Sequence, residues 1–459
     1  MKYTDVSVIT NSLLFINIPE LQGVERPAYD EAVIIELDDG SSRYGRIVRI
    51  DDITIAIQVF DGTFDMSLKN VGIVLTGKPL EFGLSPEILG RVFDGLGRPC
   101  DGMGNIKANI FKNINGLPIN PVSREYPKNY ISTGFSSIDT LTTLIRGQKL
   151  PVFSGSGMRH NELAAQIVRQ ASVADGSEFC IVFAAMGVNH DVAEYFRTSF
   201  ETSGVSDRVT MFLNLTGDPV TERILIPRFA LTAAEYLAFD LGKNVLVIMS
   251  DMTSYAEALR EFSSSKEEIP AKKGYPGYLY SDLASLYERA GIIKGKPGSV
   301  TQIPILTMPN DDITHPVPDL TGFITEGQIV LDRTLEASGI YPAVSILPSL
   351  SRLMKDGIGA EYTTDYHPKL ANQLFSSYSK VQDAKSLASV IGEDELSETD
   401  KKLLQFGREF ENKFINQHEG ESRTLEQSLQ LGWELLKILP ESELDRLESD
   451  LIEKYIYEQ

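Results

Sequence analysis

The stretch with the most chemical content is 147–167, GQKLPVFSGSGMRHNELAAQI. An apolar run leads into a glycine-containing loop and then a helical pattern, the setting in which backbone N–H groups cradle phosphate. A loop that works on a nucleotide in this way follows GxxxxGK[ST]. Its glycines let the amides converge, its lysine neutralises the outer phosphates, and its hydroxyl holds magnesium. Here the window reads Ser154, Gly155, Ser156, Gly157, Met158, Arg159, His160, Asn161. Serine and arginine stand where the framing glycines belong. The lysine position is His160, mostly neutral at pH 7 by its ordinary pKa. The hydroxyl position is Asn161, whose amide is a poor magnesium ligand beside a phosphate. Taken alone, a glycine loop ahead of a helix also serves as a plain structural turn.

Further along, the apolar run 245–249 ends in Ser250 and Asp251. A strand closing on an aspartate holds magnesium through water in nucleotide-hydrolysing proteins. The same aspartate is equally suited to capping the helix that follows. Together the loop and the aspartate imply a nucleotide-binding scaffold whose phosphate chemistry is disabled.

Three kinds of chain must position these residues. Over 76–348, the short apolar runs 150–153, 180–184, 209–212, 245–249 and 303–307 alternate with helical patterns such as 161–174 and 232–241. That order predicts an α/β domain around a largely parallel sheet. Residues 1–75 differ. Ile53, Ile55, Ile57 and Val59 alternate at period two, as a half-buried strand requires. The β-rich run 32–37 leads into Asp39 and Gly40, a pair that favours a tight hairpin. Short strands at this spacing predict a small barrel or sandwich. Over 349–459 the pattern is helical, with Leu403, Phe406, Phe410 and Phe414 on one face. Ser397 with Asp400, and Thr424 with Gln427, supply N-terminal caps. Pro440 closes one helix, and Leu444, Leu447 and Leu451 open a last one. Such stripes are more often core than partner-binding faces.

A chain of 459 residues is too long for one ordinary domain, and 42% apolar residues suffice for a sizeable core. The formal charge is −21, from 43 basic and 64 acidic residues. That balance argues against a nucleic-acid backbone as partner, because such binding runs on lysine and arginine. No run approaches the roughly 18 apolar residues of a membrane helix. The start, MKYTDVSVITNSLL, lacks the basic opening and apolar stretch of a secretion signal, so a cytoplasmic protein is expected. Cys100 and Cys180 are expected as buried or partly buried free thiols, and none of the five histidines has metal-ligand spacing.

Several segments together carry a resemblance. They are GRVFDGLGRP (90–99), STGFSSID (132–139), QKLPVFSGSG (148–157), VLVIMSDMTSYAEALREFSS (245–264), GYPGYLYSDLASLYERAG (274–291), PDLTGFITEGQ (318–328) and PAVSILPSLS (342–351). In this order they resemble the rotary ATPase α/β superfamily over nearly the whole chain, and most closely its V-type (archaeal or vacuolar-type) B subunits. The resemblance implies a multi-domain α/β fold: an N-terminal β-barrel, a central P-loop-type (RecA-like) nucleotide-binding domain and a C-terminal helical domain. One position departs from the family signature, which carries Asp, Asn or His where this chain has Ser345.

The same resemblance implies function. Catalytic subunits carry a glutamate that polarises water in the turn matching Met186, Gly187, Val188, Asn189 and His190, and Val188 occupies its place. They also carry a long insertion, for which 65–90 leaves no room. The implied role is therefore non-catalytic, with no activity alone. Arg352 is implied as an arginine finger reaching into the site of a neighbouring catalytic A subunit, with Ser349 and Ser351 beside that nucleotide. Ser154, Gly155, Gly157, His160, Asn161 and Asp251 would form the chain's own weak nucleotide site. The implied cofactor is ATP or ADP with Mg2+, the metal held mainly by the A subunit. The implied partners are the central and peripheral stalk subunits together with the catalytic A subunit, without nucleic acid and without membrane insertion. Gly274, Tyr275, Pro276 and Gly277 match a rigid loop, poor in side chains, facing the central shaft. An independently active P-loop ATPase, an RNA translocase and a purely structural spacer are the competing readings.

Overall fold

The computed structural model describes residues 2–10, 12–17, 27–51, 54–173 and 176–457; Ile53 and Ala174 lie outside them. The N-terminal strands form a seven-stranded antiparallel sheet. Its order is Lys2–Tyr3, Val71–Pro79, Glu31–Leu37, Ser42–Ile50, Thr54–Val59, Leu13–Asn17, Val6–Ile9. The hairpin at Asp39 and Gly40 is present. Glu36 pairs with Ser42, and Gly40 adopts φ 83°, a value that strains any residue with a Cβ. Ile55, Ile57 and Val59 point into one core with Leu14, Ile16, Val33, Ile35 and Ile73. The period-two reading needs one correction. Ala56 and Gln58, on the other face of that strand, are buried as well, because the central domain covers this side of the sheet.

The central sheet runs in the order Val344–Ser351, Gly327–Leu331, Val152–Gly155, Ser299–Met308, Asn244–Ser250, Phe179–Val188, Val209–Leu215, Val92–Phe93. Neighbours in this order are parallel except Val344–Ser351, which runs antiparallel to Gly327–Leu331, and the short strand Gly291–Ile293 joins off this path, antiparallel to Ser299–Met308. Each apolar run expected as a parallel strand lies in or overlaps one of these. Because successive strand residues face opposite ways, Ile181, Phe183 and Ala185 enter one core while Cys180, Val182 and Ala184 enter another. Helices His160–Gln170 and His190–Thr202 contribute to the first core, and Val220–Glu235 and Met252–Ser265 to the second.

The helix expected at 232–241 begins earlier, at Val220, and passes through Pro227. An interior proline costs a helix about 3 kcal/mol. Burial of Ile224, Leu225, Ile226, Phe229 and Ala230 around it outweighs that loss. Two thiol expectations divide: Cys180 is buried, but Cys100 is exposed in the turn after Val92–Phe93.

The C-terminal helices His367–Ile391, Glu398–Glu409 and Leu425–Leu436 share the first core. The stripe is core: Leu403, Phe406, Phe410 and Phe414 are buried, and the last three rings follow one another at 5.5 and 4.9 Å. Ser397 accepts the Asp400 N–H, and Thr424 with Gln427 forms a reciprocal capping box. The last α-helix is Ser449–Ile452, so Leu444 and Leu447 lie in the turn before it rather than inside it. Among the described residues, no helix is long and apolar enough to cross a membrane.

Candidate functional site

The glycine loop leaves the carboxyl end of Val152–Gly155, between strands Ser299–Met308 and Gly327–Leu331, and its helix starts at His160. Open parallel sheets bind ligands at this end. Gly157 supplies the φ of 77° that lets the loop turn back. Ser154 is fully buried, and its Oγ lies 3.1 Å from His160 Nδ1. Burial lowers the His160 pKa, against the opposing pull of Asp251 and Glu162, so the imidazole at the lysine position is neutral at pH 7.

Three of the loop amides turn inward. Gly155 N–H donates to Met158 Sδ at 3.3 Å, Met158 N–H to the Gly155 carbonyl at 3.3 Å, and His160 N–H to the Met158 carbonyl at 2.9 Å. Outward, the loop presents the Ser156 carbonyl, which accepts Arg333 Nη2 at 2.9 Å. Arg333 is held in turn by two hydrogen bonds to Asp311, at 2.8 and 2.9 Å. A Cβ on Gly155 would stand 2.3 Å from Asp311 Oδ1 and 2.6 Å from Arg333 Nη2, so this ion pair lies directly over the loop. On the other flank Arg159 covers the Tyr341 ring at 4.4 Å and pairs with Glu419. The cavity lined by Arg159, Leu163, Tyr341 and Pro342 measures about 10 Å³, room for a water at most.

Asp251 serves as a cap. Its Oδ1 accepts the N–H of Thr253 at 2.7 Å, opening the helix Met252–Ser265, and the N–H of Thr307 at 3.1 Å. Val188 ends its strand beside Gly187, whose N–H donates to Asn214 Oδ1 at 3.1 Å, as does Arg223 Nε at 2.8 Å. Gly187 packs on Arg223: a Cβ there would meet the guanidinium at 2.9 Å. Arg223, Arg333 and Asp311 escaped sequence reasoning. Nothing in their spacing marks them, since chain crossovers bring them to the loops. The loop at Gly274 also differs from a turn poor in side chains, because Tyr275 is buried and bonds Glu257.

Arg352 lies elsewhere. Strand Val344–Ser351 is antiparallel, with Ser351 opposite Gly327 at the amino end of the parallel strands. The chain's own loop leaves their carboxyl end, so the predicted site residues fall into two groups at opposite ends of the sheet. Ser349 is buried; its Oγ donates to the Ser345 carbonyl at 2.5 Å and accepts the Val330 N–H at 2.9 Å. Ser351 Oγ donates to the Thr143 carbonyl at 2.9 Å and accepts Gln148 Nε2 at 2.9 Å. Both hydroxyls hold the strand in place and leave little to offer a nucleotide. Arg352 donates its own N–H to the Glu326 carbonyl at 2.9 Å. Its side chain is exposed, and among the described residues the guanidinium meets one acceptor, the Thr325 carbonyl at 3.5 Å.

A parallel sheet with a glycine loop at its carboxyl end, followed by a helical domain, defines a P-loop-type nucleotide-binding fold; this one lacks the loop's cation and hydroxyl. Residues 134–351 match the model for the ATP synthase alpha/beta family, nucleotide-binding domain, and residues 356–456 match the C-terminal domain of V and A type ATP synthase. The V-type ATP synthase beta chain 2 of Clostridium tetani is 61% identical over 95% of both chains. The V-type ATP synthase beta chain of Halothermothrix orenii is 57% identical, over 99% of this chain and 97% of its own. A solved structure of an ATP synthase subunit, NeqB from Nanoarcheaum equitans, superposes with a TM-score of 0.73 at 38% identity, covering 93% of this chain and 98% of that one. The chain belongs to the ATP synthase alpha/beta family, as a V-type beta chain, the B subunit of a rotary ATP synthase.

Proposed function

We propose that this chain is the non-catalytic member of a ring in which A and B subunits alternate, and that its Arg352 completes the nucleotide site of the adjoining A subunit. The observation that carries this reading is the placement of Arg352: exposed, held by its backbone, and at the far end of the sheet from the chain's own loop. A cation so placed serves a neighbour better than its own chain. Phosphoryl transfer spreads negative charge over the γ-phosphate oxygens, and a guanidinium meets it with fixed donors that stay charged. ATP or ADP with Mg2+ would sit at that interface, with the metal held mainly by the A subunit.

The chain's own loop is the counterpart. Neutral His160, three inward-turned amides and the Arg333–Asp311 pair support a site that binds nucleotide weakly. Ser349 and Ser351 then act by ordering the strand that ends at Arg352. The N-terminal sheet would close as a barrel, its two edge strands being joined through Thr4 and Asp5. In the assembled machine, central and peripheral stalk subunits would couple the ring to H+ or Na+ transport, with this chain in the soluble sector peripheral to the membrane.

Replacing Arg352 by Ala in the reconstituted ring tests the reading. Assembly is expected to persist while ATPase turnover at saturating ATP falls at least about tenfold, a conservative floor for an arginine finger's contribution. Unchanged turnover would leave the chain a structural spacer.

A further inference from the structure

Arg352 rests on a partly buried chain of charges, centred on one buried lysine, to which the reaction assigns no part. Lys149, just before the loop strand, has a side chain only 5% exposed, so carboxylates rather than solvent balance its ammonium. Its Nζ lies 2.7 Å from Glu288 Oε1 and 2.8 Å from Glu326 Oε1. Arg124 completes the chain at 2.8 Å from Glu288 Oε2. Lys149 grips Glu326 twice, because its backbone N–H also donates to Glu326 Oε2 at 2.9 Å.

Glu326 in turn supports the arginine. Its carbonyl accepts the Arg352 N–H at 2.9 Å and Gln148 Nε2 at 3.1 Å, while the preceding carbonyl, of Thr325, meets the Arg352 guanidinium at 3.5 Å. The following residue, Gly327, touches the arginine's strand so closely that a Cβ would lie 2.2 Å from the Leu350 carbonyl oxygen. Both ends of Arg352 therefore lean on the peptide groups flanking one carboxylate, and that carboxylate is fixed by one desolvated lysine.

We infer that Lys149, acting through Glu326, is a positioning residue for Arg352: it holds the 325–327 segment against the strand end from which the guanidinium projects. This rests on the reading that Arg352 works across the interface with its neighbour. A held side chain surrenders less freedom when it engages the transition state. The loss on removing Lys149 should therefore fall on kcat, and only through Arg352.

The test is a cycle in the reconstituted ring with catalytic subunits, comparing wild type, Lys149→Met, Lys149→Arg, Arg352→Ala and the Lys149→Met/Arg352→Ala double variant. Lys149→Met is expected to lower kcat roughly five- to twentyfold with KM for ATP within about twofold. Lys149→Arg should recover most of that loss, since it keeps the charge. In the Arg352→Ala background, Lys149→Met should add less than about a twofold loss, because coupled residues are not additive. An equal loss in both backgrounds, or no loss in either, would overturn the inference while leaving the arginine reading intact. An undiminished Arg352→Ala ring would instead remove the reading itself. If Lys149→Met fails to assemble, Glu326→Gln, which keeps the carbonyl and removes only the charge, is judged by the same criteria.

Discussion

His160 and Arg352 are the side chains on which the proposed division of labour turns. Histidine alone forecast weak charge at the lysine position, and burial beside Ser154 completes the loss. The covering Arg333–Asp311 pair was not legible, since it depends on where distant loops meet. Titrating the isolated chain with a fluorescent ATP analogue should accordingly give a Kd weaker than roughly 100 μM, a binding free energy of less than about 5.5 kcal/mol. Micromolar binding by the isolated chain would contradict the closed loop. A second residue sets a pH dependence. Glu222 is buried facing Asp61, Asp94 and Asp218, with Arg98 the cation nearest in effect, and burial above all lifts its pKa to about 8. Between the ordinary carboxylate range and that value, the folded chain holds a proton that the unfolded chain has released. Its contribution is therefore full below the ordinary range and is lost as pH rises through about 8. Glu222→Gln should raise Tm by a few degrees at pH 9 and by little at pH 5, a gap that thermal scans across this range would reveal. A gap independent of pH would count against the assignment.

Elements were legible where period and burial agree. The runs at 180–184 and 245–249 are apolar on both faces because helices cover both sides of the sheet, and that makes them readable as parallel strands. Strand Val344–Ser351 was not readable as such: it lies at the sheet's edge, and only its partner Gly327–Leu331 fixes its antiparallel direction. Likewise Pro227 obscured the first turns of Val220–Glu235, whose stability comes from packing and not from helix propensity. The caps and the phenylalanine stripe were legible because their chemistry is local. Removing the middle ring, Phe410→Ala, should cost about 3–5 kcal/mol of stability in the C-terminal domain. Thr424→Ala, which breaks the capping box, should cost about 1 kcal/mol. Urea unfolding followed through the C-terminal Trp433 would rank them, and equal effects would mean that the stripe packs less tightly than its burial indicates.

At the scale of the whole molecule, the sheet separates a glycine loop without its cation at one end from an exposed arginine at the other. A chain built this way should hydrolyse no ATP when purified alone, and turnover comparable to that of the complex would revive the independent ATPase. The arginine's assignment drew on resemblance, since one exposed cation after a strand is ordinarily a surface ion pair worth about 0–1 kcal/mol. What geometry adds is its bracing and its distance in topology from the chain's own loop. The most direct measurement is a structure of the assembled ring trapped with ADP and aluminium fluoride. The account predicts the Arg352 guanidinium within hydrogen-bonding distance of the fluoride in the adjoining A subunit's closed site. A guanidinium turned away from that group at every interface in the ring would contradict it.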